Sequence, residues 1–393
     1  MHPLLAGAIP VAAAVVAMLP LHAQDVIVRA RTLVVATDTV LQNGAMLARQ
    51  GKVAYVGDEI PAEAKAGATV LDYGTATIVP GFVLPPSALG RDRDLAEGAL
   101  AFTPDLRVSD AFDPWQEELL ELPRFGITSL ALSASPRNVA GGIGALVKPG
   151  RDAGSLAQPE LHLALSLAQA ARQSERHPTS LMGAVDLLRS AFNAARSGAA
   201  SGPDAAVLRQ VMQGGRRVSI AADTYTELVA ALDLAKEFGF EPLLLGARDA
   251  DKLLPRLVAQ KAAVALESLR IDQRQAQLQL PTRLAEAGVP FCFTGAPGQL
   301  RWSAVLAVRA GLDRKTALAA LTRAPATMLD LAGTVGSLRQ GCAADFTVWS
   351  GDPLDLDTTH LATFVDGVRV HGDAPQTPSP TPSMAAPAAA GGR

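Results

Sequence analysis

Residues 78–90, Ile-Val-Pro-Gly-Phe-Val-Leu-Pro-Pro-Ser-Ala-Leu-Gly, decide how the chain is read. An apolar run meets a tight Pro-Gly, resumes as Phe82-Val-Leu84, and passes at Pro85-Pro86 into a loop that closes on Gly90. Continuous apolar runs bounded by such turn signals are buried strands of the kind found in parallel sheets. When a strand of this type opens a series of βα units, the loop behind it begins the active site. Here that loop contains no His, Cys, Asp or Glu.

Downstream, from residue 78 to about 330, apolar runs of strand length (127–132, 218–222, 242–245, 262–266 and 290–294) alternate with amphipathic helical stretches. This alternation predicts repeated βα units and a parallel sheet. One helix is written out in full. Thr224-Tyr-Thr-Glu227 is a capping box, Leu228, Ala231, Leu232 and Ala235 share a face, and Gly239 is the stop. Asp113-Pro114, ahead of Trp115-Gln-Glu-Glu, predicts a second helix start with Asp113 accepting from the first free amides. Upstream, short β-type runs at 26–29, 32–36, 45–49, 53–56 and 69–72 are separated by Asn43-Gly44, Gly51-Lys52 and Gly57-Asp58, which read as hairpin punctuation. Such a small sheet has edges and an open face, and needs a partner to cover it.

With 393 residues, 49% of them hydrophobic, the chain is long enough for one large domain or two with a sizeable core. The net charge of -3 and the scattered basic residues exclude nucleic acid, polyanions and anionic membrane surfaces as expected partners. Residues 4–21 form an alanine-rich apolar run ending at His22-Ala23-Gln24-Asp25, with a small residue where a signal peptidase would cut. The expectation is a signal peptide over 1–23 and export to a periplasmic or extracellular compartment. An uncleaved membrane anchor is the competing reading. The two cysteines, Cys292 in an apolar strand and Cys342 in a Gly-Cys-Ala turn, do not make a disulfide scaffold; one bridge between them is an open alternative in an oxidising compartment, and two separate thiols are the plainer reading. Residues 373–393, rich in Pro, Ala, Ser and Gly, predict a disordered tail, since they carry too little apolar surface to offset ordering entropy.

Several stretches taken in order carry a family resemblance. They are residues 78–90, Pro104-Asp-Leu-Arg-Val-Ser-Asp110, Phe125-Gly-Ile-Thr-Ser-Leu132, Asn138-Val-Ala-Gly-Gly-Ile-Gly-Ala-Leu-Val-Lys148, and Val335-Gly-Ser-Leu followed by Gly341-Cys-Ala-Ala-Asp345. Together they resemble the amidohydrolase superfamily, in particular its imidazolonepropionase-like branch. The resemblance implies a (β/α)8 TIM-type barrel over 78–330. It also implies a small composite β-sandwich from 25–77 and 331–372, finished by a strand over 363–370.

Members of that family hold one or two divalent metals at the C-terminal mouth of the barrel, where the metal supplies hydroxide and polarises a carbonyl. Carried over residue by residue, the metal-binding positions fall on Pro86, Ala88, Leu167, Ala221, Gly246 and Ala296. None of these side chains has a lone pair to give. The expectation is therefore no metal and no other cofactor. Lys148, Asp223 and Arg248 remain as candidates to contact a ligand, each with a plainer reading: Lys148 as a solvated residue before a turn, Asp223 beside the helix start, Arg248 paired with Asp249. His162 alternates with leucines and reads as a core histidine. The function implied is that of an exported non-catalytic homologue acting as a partner or binding subunit, alone or beside an intact relative. The alternative is a hydrolase of C–N bonds in small cyclic amides with an atypical site, and a third possibility is a small-molecule binder that uses the emptied mouth.

Overall fold

The computed structural model describes residues 25–91 and 94–375. The expected signal segment, and residues 376–393 of the expected tail, lie outside them. Seven strands run parallel in two arcs. One arc pairs Phe82–Ser87 with Ile127–Leu132. The other runs in order through His162–Ser166, Arg217–Ala222, Pro242–Gly246, Ala263–Leu266 and Phe291–Phe293. The arcs are linked by two short antiparallel strands: Ala140–Ile143 lies against His162–Ser166, and Ala145–Lys148 against Ile127–Leu132. Gly144 is the hinge between them. A Cβ there would stand 2.2 Å from the His162 ring, so only glycine lets the chain cross at this point. Among the described residues no strand ladder joins the arcs into the single eight-stranded closed sheet that the sequence suggested. Residues of both arcs, including Val83, Ala131, Leu146, Leu243, Ala265 and Cys292, nevertheless share one buried cluster.

The helices follow from local sequence. Tyr225–Phe238 has the expected capping box at Thr224 and Glu227 and ends on left-handed Gly239. Leu181–Ser197 is capped by Ser180, whose hydroxyl accepts from the Gly183 amide at 3.1 Å. It buries Ala184, Leu188, Phe192 and Ala195 along one face, and Phe192 stacks on Phe238 with ring centres 4.8 Å apart. The start expected at Asp113-Pro114 is displaced. Asp113 accepts from the Trp115 amide at 2.9 Å, but the helix begins only at Glu117 and ends at Glu121. The aspartate closes a local turn instead of opening a helix.

The two ends of the chain do meet. One sheet orders Lys52–Gly57, Ala45–Arg49, Val26–Arg29 and Thr69–Asp72. The other orders Val368–Gly372, His360–Val365, Phe346–Trp349, Thr77–Pro80, Thr32–Ala36 and Thr39–Gln42. Val28, Met46, Ile78, Phe346 and Phe364 join in a core between the sheets, and Phe346 stacks on Phe364 at 4.3 Å. Two local readings change. The single strand expected over 363–370 is a hairpin, because Asp366 and Gly367 both take positive φ and turn the chain. The Ala45–Arg49 and Lys52–Gly57 strands turn at Gln50-Gly51, one residue before the dipeptide singled out in the sequence. Cys292 and Cys342 are both buried and unpaired. No helix among the described residues is long and apolar enough to cross a membrane.

Candidate functional site

Parallel strands end with their last carbonyls and side chains on one side of the sheet, so the space above those ends is where side chains from several strands can converge. A cavity of about 1120 Å³ lies there. Pro86 lies near the end of the Phe82–Ser87 strand and Ala88 just past it, Ala221 lies near the end of the Arg217–Ala222 strand and Asp223 just past it, and Gly246 ends the next. Glu267 follows Ala263–Leu266, and Ala296 follows Phe291–Phe293. Five of the six positions on which the resemblance placed metal ligands thus line one space. Leu167 does not, being fully buried behind the wall.

The other candidates separate. Asp223 stays at the mouth, with Oδ1 accepting from the Arg248 amide at 3.1 Å and Oδ2 lying 2.9 Å from the Arg248 guanidinium. Arg248 therefore pairs with Asp223, not with Asp249 as the plain reading had it. Asp249 instead accepts from the Tyr225 amide at 3.0 Å and from Lys252 at 2.8 Å. Lys148 neither lines the cavity nor meets solvent. It is buried between the Asp345 carboxylate, at 3.0 Å, and Asp366. The Ile127–Leu132 pairing carries it to the seam between the arcs and the terminal sheets, where the Asp345 of the C-terminal signature waits. His162 is fully buried with Nε2 3.1 Å from Ser133 Oγ. Burial, and secondarily the Arg216 charge, push it down to about 3, so its ring is neutral and a feeble base.

Three cavity residues escaped the reading of the sequence. Glu267 has no Lys, Arg or His within ion-pair distance among the described residues. The recess around it strips solvent from the carboxylate and the Asp223 charge repels it, both raising its pKa above the usual glutamate value. Asn138 is 1% exposed; its Oδ1 accepts from Arg176 at 2.7 Å while Nδ2 finds no protein partner. Ser219, also 1% exposed, points the same way along its strand as Ala221 and Asp223, and its Oγ has no protein partner either. The alternation of Ser219, Ala221 and Asp223 could have flagged Ser219, and the position of Glu267 just past an apolar strand could have flagged Glu267. Asn138 lay inside a quoted motif, with nothing local to mark it.

The divalent metal implied by the resemblance does not fit these side chains. A zinc-type site needs about three or four nitrogen, sulfur or oxygen donors converging on one point. The cavity presents methyl groups, a proline ring and a glycine where the ligands would stand, and its Asp223 is already engaged by Arg248. Among the described residues no group of three or more His, Cys, Asp or Glu is placed to hold an ion.

Comparison with known proteins agrees with this architecture. Residues 290–371, from the last parallel strand through the C-terminal strands, match the amidohydrolase family. Over 63 residues the chain is 35% identical to "Amidohydrolase tasK" of Hapsidospora irregularis, a stretch covering 16% of this chain and 6% of that protein. The chain thus spans only a small part of that relative's length. An amidohydrolase from Thermotoga maritima MSB8 has a similar structure, with a TM-score of 0.78 at 22% identity over 88% of this chain and 100% of that one. A putative prolidase from Bifidobacterium longum gives 0.55 at 16% identity over 90% and 96%, and E. coli guanine deaminase 0.51 at 13% over 89% and 99%. At these identities the likeness is one of fold.

Proposed function

We propose that this chain, which carries an amidohydrolase-family domain, is a non-catalytic homologue that works without a metal and binds a small molecule in the cavity above the strand ends. The observation that carries the proposal is chemical: Pro86, Ala88, Ala221, Gly246 and Ala296 stand around one cavity and offer carbon where the fold family places metal donors. A cavity of this volume, walled by small residues and a few polar groups, suits a small ligand. The shared cluster of Val83, Ala131, Leu243 and Cys292 supports reading the two arcs as one TIM-type barrel that starts at Phe82, not at residue 78, and runs to about 330. The joint core of the terminal sheets supports a composite sandwich over 25–80 and 331–372, because the Thr77–Pro80 strand pairs with Phe346–Trp349. The apolar run at residues 4–21 supports export, so that any partner, an intact relative or a second copy, would be met outside the cytoplasm.

A second reading has an observation of its own. Asp223 and Glu267 place two carboxylates at the mouth, which is the minimum for acid–base hydrolysis of a small cyclic amide. Both readings are decided on purified protein. After incubation with excess zinc and exhaustive dialysis, mass spectrometry should find far less than one ion per chain; a stoichiometric ion overturns the metal-free proposal. Turnover of a dipeptide or hydantoin panel that disappears in Asp223→Asn would establish the hydrolase instead.

A further inference from the structure

Resting on the reading of the cavity as a binding site, we infer that its ligand is an organic cation that also carries a hydrogen-bond acceptor, the charge being met by Glu267 and the acceptor by Asn138 and Ser219. Among the described residues, the charged ones lining the cavity are Glu117, Glu118, Glu121, Asp223 and Glu267, and none of the lining is Lys, Arg or His. A recess with low-dielectric walls and one sign of charge focuses its field, attracting cations and repelling anions. Three of these acids have protein partners: Glu118 takes a bond from Gln116 at 3.2 Å, Glu121 is paired with Arg124, and Asp223 with Arg248. Glu267 lacks a cationic partner among the described residues, and burial followed by the Asp223 charge raises its pKa. Room beside it is kept open by Gly295, where a Cβ would come within 2.9 Å of Glu267 Oε2.

The acceptor follows from Asn138. Arg176 is a pure donor, so the amide oxygen of Asn138 must face it, and Nδ2 is left as a buried donor with no acceptor in the protein. Ser219 adds a second buried polar group to the lining. Lacking a partner does not by itself mark a site, since Thr128 Oγ1 and His162 Nδ1 lack protein partners as well. What distinguishes Asn138 and Ser219 is that they line the acidic cavity, whereas Thr128 and His162 do not. The volume far exceeds that of a bare ion, and the walls do not supply a metal's donor set, so the cation is organic: an ammonium or guanidinium joined to a carbonyl or amide.

The test compares N-acetyl-L-argininamide with N-acetyl-L-citrullinamide, which share shape and carbonyls and differ by a guanidinium against a neutral urea. Calorimetric titration of the full chain should show the cation binding at least about tenfold more tightly, the ratio expected for one charge-assisted contact. Glu267→Gln should remove most of that preference, Glu267→Asp should restore part of it, and Ser219→Ala should weaken both compounds alike. Unchanged melting curves would show that the variants are folded. Equal affinities would overturn the charge inference while leaving a binding cavity intact. If neither compound bound, the inference would also fall, and a neutral metabolite library read by thermal shift would then show whether the binding reading survives it.

Discussion

Two polar clusters in this molecule are built on opposite terms. At the seam between the arcs and the terminal sheets, Lys148 is 5% exposed and Asp345 2%, yet every charge there is answered. Asp345 accepts from Lys148, from Ser129 Oγ at 3.3 Å and from the Asp366 amide at 2.8 Å, and Lys148 reaches Asp366 as well. At the cavity, Asn138 and Ser219 are equally buried, Asn138 Nδ2 and Ser219 Oγ have no protein partner, and Glu267 has no counter-ion among the described residues. A buried polar group left unpaired costs free energy, so a protein keeps one mainly where something else completes it. The seam is satisfied from within; the cavity keeps unpaired groups, as the proposed binding role requires.

This contrast can be broken from the seam first. Lys148→Met would leave Asp345 and Asp366 facing each other without their cation, and should cost about 3–5 kcal/mol in a chemical denaturation experiment. A loss under about 1 kcal/mol would mean that the seam is no more essential than a surface ion pair. The pH dependence sharpens the same point. Burial alone would lower Lys148, but the Asp345 and Asp366 charges outweigh it and hold its pKa above the usual 10.5. A group raised on folding contributes stability that is complete below its unfolded pKa and disappears as pH climbs through the folded one. The wild type should therefore lose stability in strongly alkaline buffer by a component that Lys148→Met lacks.

A smaller effect is expected at the link between the arcs. Gly144→Ala would drive a methyl into the buried His162 ring, which has no room to retreat, and should destabilise by about 1–3 kcal/mol, read from the same denaturation curves. The smallest effect belongs to the cavity. Ser219→Ala removes a hydroxyl with no protein partner, so stability should stay level or rise by up to about 1 kcal/mol. A clear loss of stability there would show that the hydroxyl is satisfied after all and would erase the difference between the two clusters.

How much of this was legible in the chain depended on range. The helix at Tyr225–Phe238 could be read residue by residue, because capping, amphipathic spacing and a glycine stop all act within one or two turns. The strand at Ile127–Leu132 and the four N-terminal strands at 26–29, 32–36, 45–49 and 69–72 were equally plain. The Asp366-Gly367 hairpin was missed although its Asp-Gly turn signal was local. At the site, five positions were placed by motif alone, whereas the partners of Lys148 and Arg248 were not.

The sequence alone determined which chemistry is missing. The side chains of proline and alanine, and glycine's lack of one, offer no lone pair whatever surrounds them, so the absence of a side-chain metal donor at Pro86, Ala88, Ala221, Gly246 and Ala296 needed no coordinates. Tertiary structure alone decided which chemistry remains. Lys148 and Asp345 are 197 residues apart, and Arg176 and Asn138 are 38 apart. Whether such groups are paired, buried or left open depends on distances that only the packed sheets fix, because burial and Coulomb interaction act through space and leave no periodic mark on the chain.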